Sequence, residues 1–555
     1  LGKDNGVKTY FIPGNHDWYN GLNGLLDEED FVRKYLDDKN AFLPGKGCPL
    51  NEVKVAGGIT MIAVDSQWFI EDWDNYPNIN DDCDIKTRDA MFAELESLLN
   101  KNQDKVVILA IHHPLMTSGA HGGQYSMEKQ FFPLKYKVPM PGIGSIINLA
   151  RKTSGYSTQD NQSRLYNMLS RRIRTMLQDK PNVIVVSGHD HNLQYIEKDN
   201  IRQIISGAGS KEEAVRVAGA KDFSYGRNGY ATLDVFSNGT AKASFYGVAE
   251  GKEILLFEKE LLVKEKLEIP DYPDHFDPVI KATVMPQELT HKSKVHNFLF
   301  GTHYRSYYGL PVAANVAMLD TLRGGLEPFR SGGGHQSNSL RVKDKDGKEY
   351  VIRGLRKSAT KFLQASAFKD QYIGDSFDGT FTEKFLLDFY TTAHPFTPFI
   401  LDDLAETAGI YHTNPQMIYV PKQDALKEFN LDYGDELYML EERPEDSQKS
   451  LASFGRPDGI DGTDDVMINL QKDSKYKIDE KAYIRARLFD MLIGDWDRHA
   501  DQWRWARFET KDSITYRPIP RDHDQAFPKY GGKLLTLLLR IPALRAMQSY
   551  DDHIH

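Results

Sequence analysis

Four short apolar runs, each ending in a polar tail, constrain this chain more than any other feature. They are "VKTYFIPGNHD" (residues 7–17), "ITMIAVDS" (59–66), "KVVILAIHHP" (105–114) and "NVIVVSGHDH" (182–191). Apolar runs this short, bounded by polar loops, read as buried strands. Between them, "TRDAMFAELESLLNKN" and "SRLYNMLSRRIRTMLQDK" carry helical spacing. Strand, helix and strand with reactive residue types at the strand C-termini predict a layered α/β domain. Two later runs, "GYATLDVFS" and "TAKASFYGV", are joined by Asn238-Gly239, a hairpin signal.

The polar tails carry a consistent chemistry. Asn15 offers a carbonyl oxygen, and His112, His189 and His191 offer imidazole nitrogens. Oxygen and imidazole ligands suit zinc, iron or manganese. Two such ions close together bind a phosphate and activate water. His16, beside Asn15, is placed to donate a proton to a leaving group, with Asp17 expected to hold its ring. Any one of these histidines alone reads as a surface or capping residue. Three motifs in order, each at a strand end, read as a metal site.

"GNHD", then "HHP", then "GHDH" resembles the calcineurin-like metallophosphoesterases. "GHDHNLQYIEKDNIRQIISGAGS" and "HHPLMTSGAHGG" are similar to the tartrate-resistant, purple-type acid phosphatases, with a further histidine, His121, nine residues after His112. The resemblance covers about residues 8 to 250. It implies a layered β-sandwich flanked by helices and two divalent or trivalent metal ions (Fe, Zn or Mn). Asn15, His112 and His189 would hold one metal and His191 the other, with His16 and His121 facing the phosphate of a phosphorylated substrate. The family also carries an Asp-x-His motif and a Gly-Asp motif upstream of "GNHD", and "LGKDNG" contains neither. The chain is therefore read as an internal fragment, with its remaining metal ligands upstream.

At 555 residues the chain is too long for one ordinary domain. "KLEIPDYPDHFDPVIKATVMP" is rich in proline and acid and reads as a linker. The expected division is 1–262, a phosphoesterase domain lacking its N-terminal part; 263–293, a linker; and 294–555, an α+β domain continuing beyond the fragment. The second unit opens with "SGGGHQSNSLRVKDKDGKEYVIRGLRK", a glycine turn with backbone N–H groups open to phosphate, then a strand bearing a cation. Gly333 and Gly334 would cradle phosphate, and Arg353 or Lys357 would clamp it. "GDWDRHADQW" places Gln502 five residues after Asp497, the spacing of a kinase catalytic Asp and its metal-binding Asn. "RPIPRDHDQAFPK" supplies Asp522 and Asp524 where a kinase places its magnesium ligand, and magnesium prefers hard oxygen donors. Each segment alone reads as an ordinary hairpin or acidic loop.

This ordered trio resembles atypical kinase-like families: secretory-pathway kinases, spore-coat kinases and the phosphatidylinositol 4-kinase group. The resemblance implies ATP and Mg as ligands. Arg stands for the usual Lys and Gln for the usual Asn, and Arg clamps phosphate with a different geometry. The combination also resembles envelope proteins of Bacteroidetes-like bacteria in which an outer-membrane barrel follows, implying a periplasmic or cell-envelope location.

A formal net charge of −10 argues against a nucleic-acid partner. Two cysteines, Cys48 and Cys83, exclude a disulfide framework and a cysteine-based zinc site, and leave a single disulfide open. No run of about 18 apolar residues occurs, so no transmembrane helix is expected. The functional expectation is a metal-dependent phosphomonoesterase. The alternatives are ATP-dependent phosphoryl transfer by the C-terminal unit, or a scaffold in which both units are degenerate.

Overall fold

The computed structural model describes residues 7–125, 157–216, 222–249, 251–262, 270–332, 336–538, 540–541 and 547–551. The chain divides into two compact units, Leu1–Ile269 with Ala367–Gly374, and Pro270–Ser366 with Asp375–His555. Among the described residues, no helix is long and apolar enough to cross a membrane.

The first unit is built on a seven-stranded sheet. In chain order its strands are β1 (Leu50–Ala56), β2 (Ile59–Val64), β3 (Val106–Ile111), β4 (Val183–Ser187), β5 (Leu193–Lys198), β6 (Ile201–Ser206) and β7 (Phe223–Tyr225). They lie in the order β1-β2-β3-β4-β6-β5-β7. The central strands β2, β3, β4 and β6 run parallel. Their side chains alternate between faces, as the pleat requires. Ile62, Val64, Val107, Leu109, Ile111, Val183 and Val185 enter one core. That core is shared with helices α1 (Gly21–Leu36), α2 (Ser66–Ile70), α3 (Arg88–Lys101) and α4 (Arg164–Leu177), through Leu25, Trp68, Phe92, Leu95, Leu169 and Ile173.

On the other face Val106, Ile184, Leu193, Tyr195 and Ile204 meet Ala241, Ala243, Phe245 and Leu261. The latter come from a three-stranded sheet of β8 (Gly229–Val235), β9 (Thr240–Ala249) and β10 (Lys252–Leu262). The result is helices, sheet, sheet: a mixed α/β fold consistent with the phosphoesterase expectation. The Asn238-Gly239 hairpin forms between β8 and β9, with Gly239 at φ 84° and the Asn238 side chain accepting the Thr240 N–H at 3.0 Å. Cys48 and Cys83 are joined by a disulfide.

The first apolar run departs from expectation. Residues 7–14 form no regular strand; Phe11 makes an isolated parallel bridge to Phe42. Pro13 has no N–H to extend a ladder. The segment is held by Phe11 N–H to Ala41 O (2.6 Å), Leu43 N–H to Phe11 O (2.9 Å), and packing of Tyr10 and Ile12 on Leu43, Met61 and Ala110.

The second unit has a seven-stranded sheet of β11 (Val279–Ala282), β12 (Val312–Val316), β13 (Glu327–Ser331), β14 (Ser337–Lys343), β15 (Glu349–Lys357), β16 (Gln416–Val420) and β17 (Glu436–Glu442), in the order β11-β12-β16-β17-β15-β14-β13. A four-stranded sheet follows, β18 (Gly459–Gly462), β19 (Tyr476–Ile478), β20 (Trp503–Glu509) and β21 (Ile514–Pro520), in the order β18-β20-β21-β19. Residues 279–282, inside the stretch read as a linker, pair antiparallel with β12. Val279 and Ile280 supply the β-branched residues that a proline-and-acid composition masks.

Asp65, at the C-terminal end of β2, caps α2. Its carboxylate accepts the Trp68 N–H at 3.0 Å and the Trp18 Nε1–H at 2.9 Å. Complete burial outweighs these bonds and pushes its pKa up to about 7. The folded state therefore binds this proton more tightly than the unfolded chain. The associated stability is fully present below about pH 4 and is lost as pH rises through about 7, on the order of 4 kcal/mol at most. Hydrogen-exchange protection of the β2–β3 core is expected to fall across that window, and Asp65→Asn is expected to flatten the dependence.

Candidate functional site

The parallel strands of the first unit end at one edge, and three loops meet there. His112 directly follows β3; His189 follows β4 after Gly188. The turn at His189 is tight, with φ 63°, the Gly188 N–H bonded to His112 O at 3.1 Å and the Asp190 N–H to Gly188 O at 2.8 Å. Gly14 brings the third loop in. A Cβ there would lie 2.5 Å from the His112 ring, so only glycine permits the approach.

The three donors converge. His112 Nε2 lies 3.0 Å from Asn15 Oδ1 and 3.3 Å from His189 Nδ1. Burial pushes His112 down to about 4 and His189 well below the usual imidazole range, so both rings are neutral at pH 7. A single N–H on His112 faces two acceptors, the Asn15 oxygen and the His189 lone pair. A cation at this point would satisfy all three atoms at once. Two neutral imidazoles and an amide oxygen are also a donor set that borderline divalent metals accept, so the residues fit one metal ion.

The remaining expected residues surround this point. The His121 ring packs on His189 with centroids 4.0 Å apart, and its Nδ1 lies 2.9 Å from Asp160 Oδ1. His191 is half-buried; burial lowers its pKa, while Glu213 opposes this. The nitrogen and carboxylate oxygens of His121, Asp190 and Glu213 cluster within 4.8 Å. Asp190 is fully buried and already accepts the Thr117 hydroxyl and, at 3.4 Å, the His121 N–H, which fixes the loop carrying His121. His16 is exposed, with its Nε2 3.3 Å from the Tyr19 hydroxyl. Asp17 was expected to hold the His16 ring; instead its carboxylate accepts the Gly14 N–H at 2.6 Å and shapes the loop around Asn15.

Sequence reasoning missed His113, Gln159 and Asp160. His113 is fully buried and bonded through Nδ1 to the Ser66 hydroxyl (2.7 Å) and through Nε2 to Gln159 Oε1 (2.8 Å). The doubled histidine in "IHHP" was the signal for it. Gln159 and Asp160 stand in no motif and far from the histidines they touch.

In the second unit Arg353 and Lys357 lie on β15 and face the loop after β21. Arg353 Nη1 donates to Asp522 Oδ2 at 2.8 Å, and Lys357 Nζ to Asp524 Oδ2 at 2.6 Å. Asp522 raises the Arg353 pKa. Burial pushes Asp522 up, but the adjacent Arg353 holds it down at about 2. Asp497 is raised by burial and by Asp524. Gln502 is buried, its main-chain oxygen accepts the Arg521 N–H at 2.9 Å, and its side-chain Oε1 has no hydrogen-bond partner. The structure thus places Arg353, Lys357, Asp522 and Asp524 in direct contact, with Asp497 within electrostatic reach and Gln502 beside the same loop. Gly333 and Gly334 lie outside the described residues.

A second acidic cluster, Asp490, Asp495 and His523, has metal-like spacing. Arg498 fills it: Nη2 lies 2.9 Å from Asp490 Oδ1, 2.9 Å from Asp495 Oδ2 and 2.6 Å from His523 Nδ1.

The calcineurin-like phosphoesterase family matches residues 1–193, so this stretch is a calcineurin-like phosphoesterase domain. No curated protein matches the chain. Among solved structures, "GAP50 the anchor in the inner membrane complex of Plasmodium" is similar at 16% identity, over 47% of this chain and 68% of that one, with a TM-score of 0.28. A structure of PhoD is similar at 11% identity, over 37% of this chain and 40% of that one, with a TM-score of 0.23.

Replacing Gly14 tests the convergence without removing a ligand. Gly14→Ala is expected to displace the His112 ring and weaken binding of Mn2+ or Zn2+, measured by isothermal titration, by roughly tenfold or more, while circular dichroism stays native.

Proposed function

We propose that the first unit hydrolyses phosphoric monoesters with bound metal. The observation that carries this reading is the convergence of Asn15 Oδ1, His112 Nε2 and His189 Nδ1 within 3.0 and 3.3 Å, inside a stretch matched by a family of metal-dependent phosphoesterases. A divalent ion held there supplies Lewis acidity toward a phosphoryl oxygen and makes water more acidic. The chain's own residues do the rest. His112 and His189, uncharged by burial, keep their lone pairs available. His16, exposed at the loop tip, reaches a substrate from the solvent side and donates a proton to the departing alkoxide. His121, oriented by Asp160, offers a second hydrogen bond to the phosphate. His191 is the ligand this reading gives to a second metal. Iron, zinc and manganese all suit these donors.

The Cys48–Cys83 disulfide supports placing the protein in an oxidising compartment, the periplasm or cell envelope. The net charge of −10 supports a small ester or a phosphoprotein over a nucleic acid as substrate.

A second reading is favoured by one observation, the paired contacts Arg353–Asp522 and Lys357–Asp524. Two cations of β15 against two carboxylates are the charges that magnesium and a nucleotide phosphate would separate and rebind. In this reading Asp497, with its raised pKa, accepts a substrate proton.

Each reading has its own assay. With the chain extended upstream to include any Asp-x-His and Gly-Asp segment its gene encodes, p-nitrophenyl phosphate hydrolysis is expected to require added Mn2+, Zn2+ or Fe and to fall at least a hundredfold in His112→Ala. Hydrolysis insensitive to chelator and to His112→Ala would end the first reading. Incubation with radiolabelled ATP and Mg2+ is expected to label the chain or an added protein, and Asp522→Ala to abolish the label. Label that persists would end the second.

A further inference from the structure

His189 is held from both sides. Its Nδ1 faces His112 Nε2 at 3.3 Å, and its Nε2 lies 3.0 Å from the main-chain oxygen of Gln159. A carbonyl oxygen only accepts, so Nε2 must carry the proton. In a neutral ring Nδ1 is then the lone pair, and it points at the place where Asn15 and His112 converge. Whether it stays so depends on what fixes residue 159.

The Gln159 side chain is tied into a one-way chain of hydrogen bonds. Glu71 is a carboxylate and accepts from Gln67 Nε2 at 2.8 Å. Gln67 Oε1 must then accept from Gln159 Nε2, at 3.1 Å. Gln159 Oε1 accepts from His113 Nε2 at 2.8 Å, and His113 Nδ1 accepts from the Ser66 hydroxyl at 2.7 Å. The acceptor-only end at Glu71 sets every direction along the chain. Ser66 and His113 are fully buried, and Gln67 nearly so. Ser66 and Gln67 belong to α2, so the tether runs from a helix of the core to the loop opposite the metal point. Both ring nitrogens of His113 are engaged within this tether, so its role is mechanical.

We infer that Gln159, gripped by His113, is the positioning residue that sets the tautomer of His189 and aims its Nδ1 lone pair at the cation-binding point. The neighbouring residue extends the effect: Asp160 Oδ1 lies 2.9 Å from His121 Nδ1, so one dipeptide orients two histidines of the site. Partners that hold the non-ligating nitrogen of a metal-binding histidine tune affinity by about ten- to a hundredfold. This inference rests on the metal reading for its consequence, and its own observable is the tautomer.

The test uses the 555-residue chain with 15N-labelled histidine, the His189 signals being assigned by their loss in His189→Gln. Gln159→Met keeps the main chain and the side-chain volume but removes the grip. His113→Phe keeps a buried ring and removes both hydrogen bonds. In the metal-free wild type, His189 is expected to show a protonated Nε2 and a bare Nδ1. In both variants this signature is expected to give way to a mixture of tautomers, and Co2+ affinity, read from its visible absorption, to drop about ten- to a hundredfold with thermal melting little changed. Variants that keep the wild-type tautomer and the wild-type Co2+ affinity, while Asn15→Ala loses Co2+, would overturn the inference and leave the metal reading standing. If Asn15→Ala binds Co2+ like wild type, the metal reading falls, and the tautomer in Gln159→Met alone decides the inference. If His113→Phe fails to fold, Gln159→Met carries the same comparison.

Discussion

Everything in the first unit depends on four parallel strands buried on both faces. Because β2, β3, β4 and β6 point the same way, their carboxyl ends share one edge. Because their side chains alternate into two apolar cores, a slip of one residue would send every inward side chain to the wrong layer. Register is thereby fixed, and with it the residue that emerges first after each strand. His112 appears directly after β3 and His189 two residues after β4, and their nitrogens are brought within 3.3 Å by strand register, with loop chemistry supplying only the last adjustment.

The sequence made much of this legible for a physical reason. Apolar runs end where the sheet ends, so the periodicity that reveals strands also marks where reactive residues emerge. Helices α3 and α4 and the Asn238-Gly239 hairpin were visible on the same grounds. The first run differs from the strand its apolar pattern predicts because Pro13 interrupts pairing and, among the described residues, its pairing is an isolated bridge from Phe11 to Phe42. Residues 279–282 were read as linker because prolines and acids outnumber the few β-branched residues that pair with β12.

What escaped the sequence is what acts through backbone or across long separations. Gln159 reaches His189 with its main-chain oxygen, which every residue type possesses, so no letter in the sequence announces it. Asp190, between two histidines of a motif, is fully buried and bonded to Thr117 and the His121 N–H, which shapes the loop carrying His121. Asp17 likewise serves the Gly14 backbone. In the second unit the aspartates of "RDHD" were visible, and so were the cations of β15. Their pairing was not, because residue 353 and residue 522 meet only once two sheets have formed.

The cluster of Asp490, Asp495 and His523 differs in kind from the edge at Asn15. It has the spacing of a metal site, yet its positive charge is Arg498, covalently part of the chain and 1% exposed at its side chain. A guanidinium neither dissociates nor loses its proton in a protein. This cluster is thus self-supplied: dialysis, chelators and the metal economy of the surroundings have no handle on it. Ions counted on the purified chain are therefore not to be divided with this cluster, and the metal content of the protein reports on other positions.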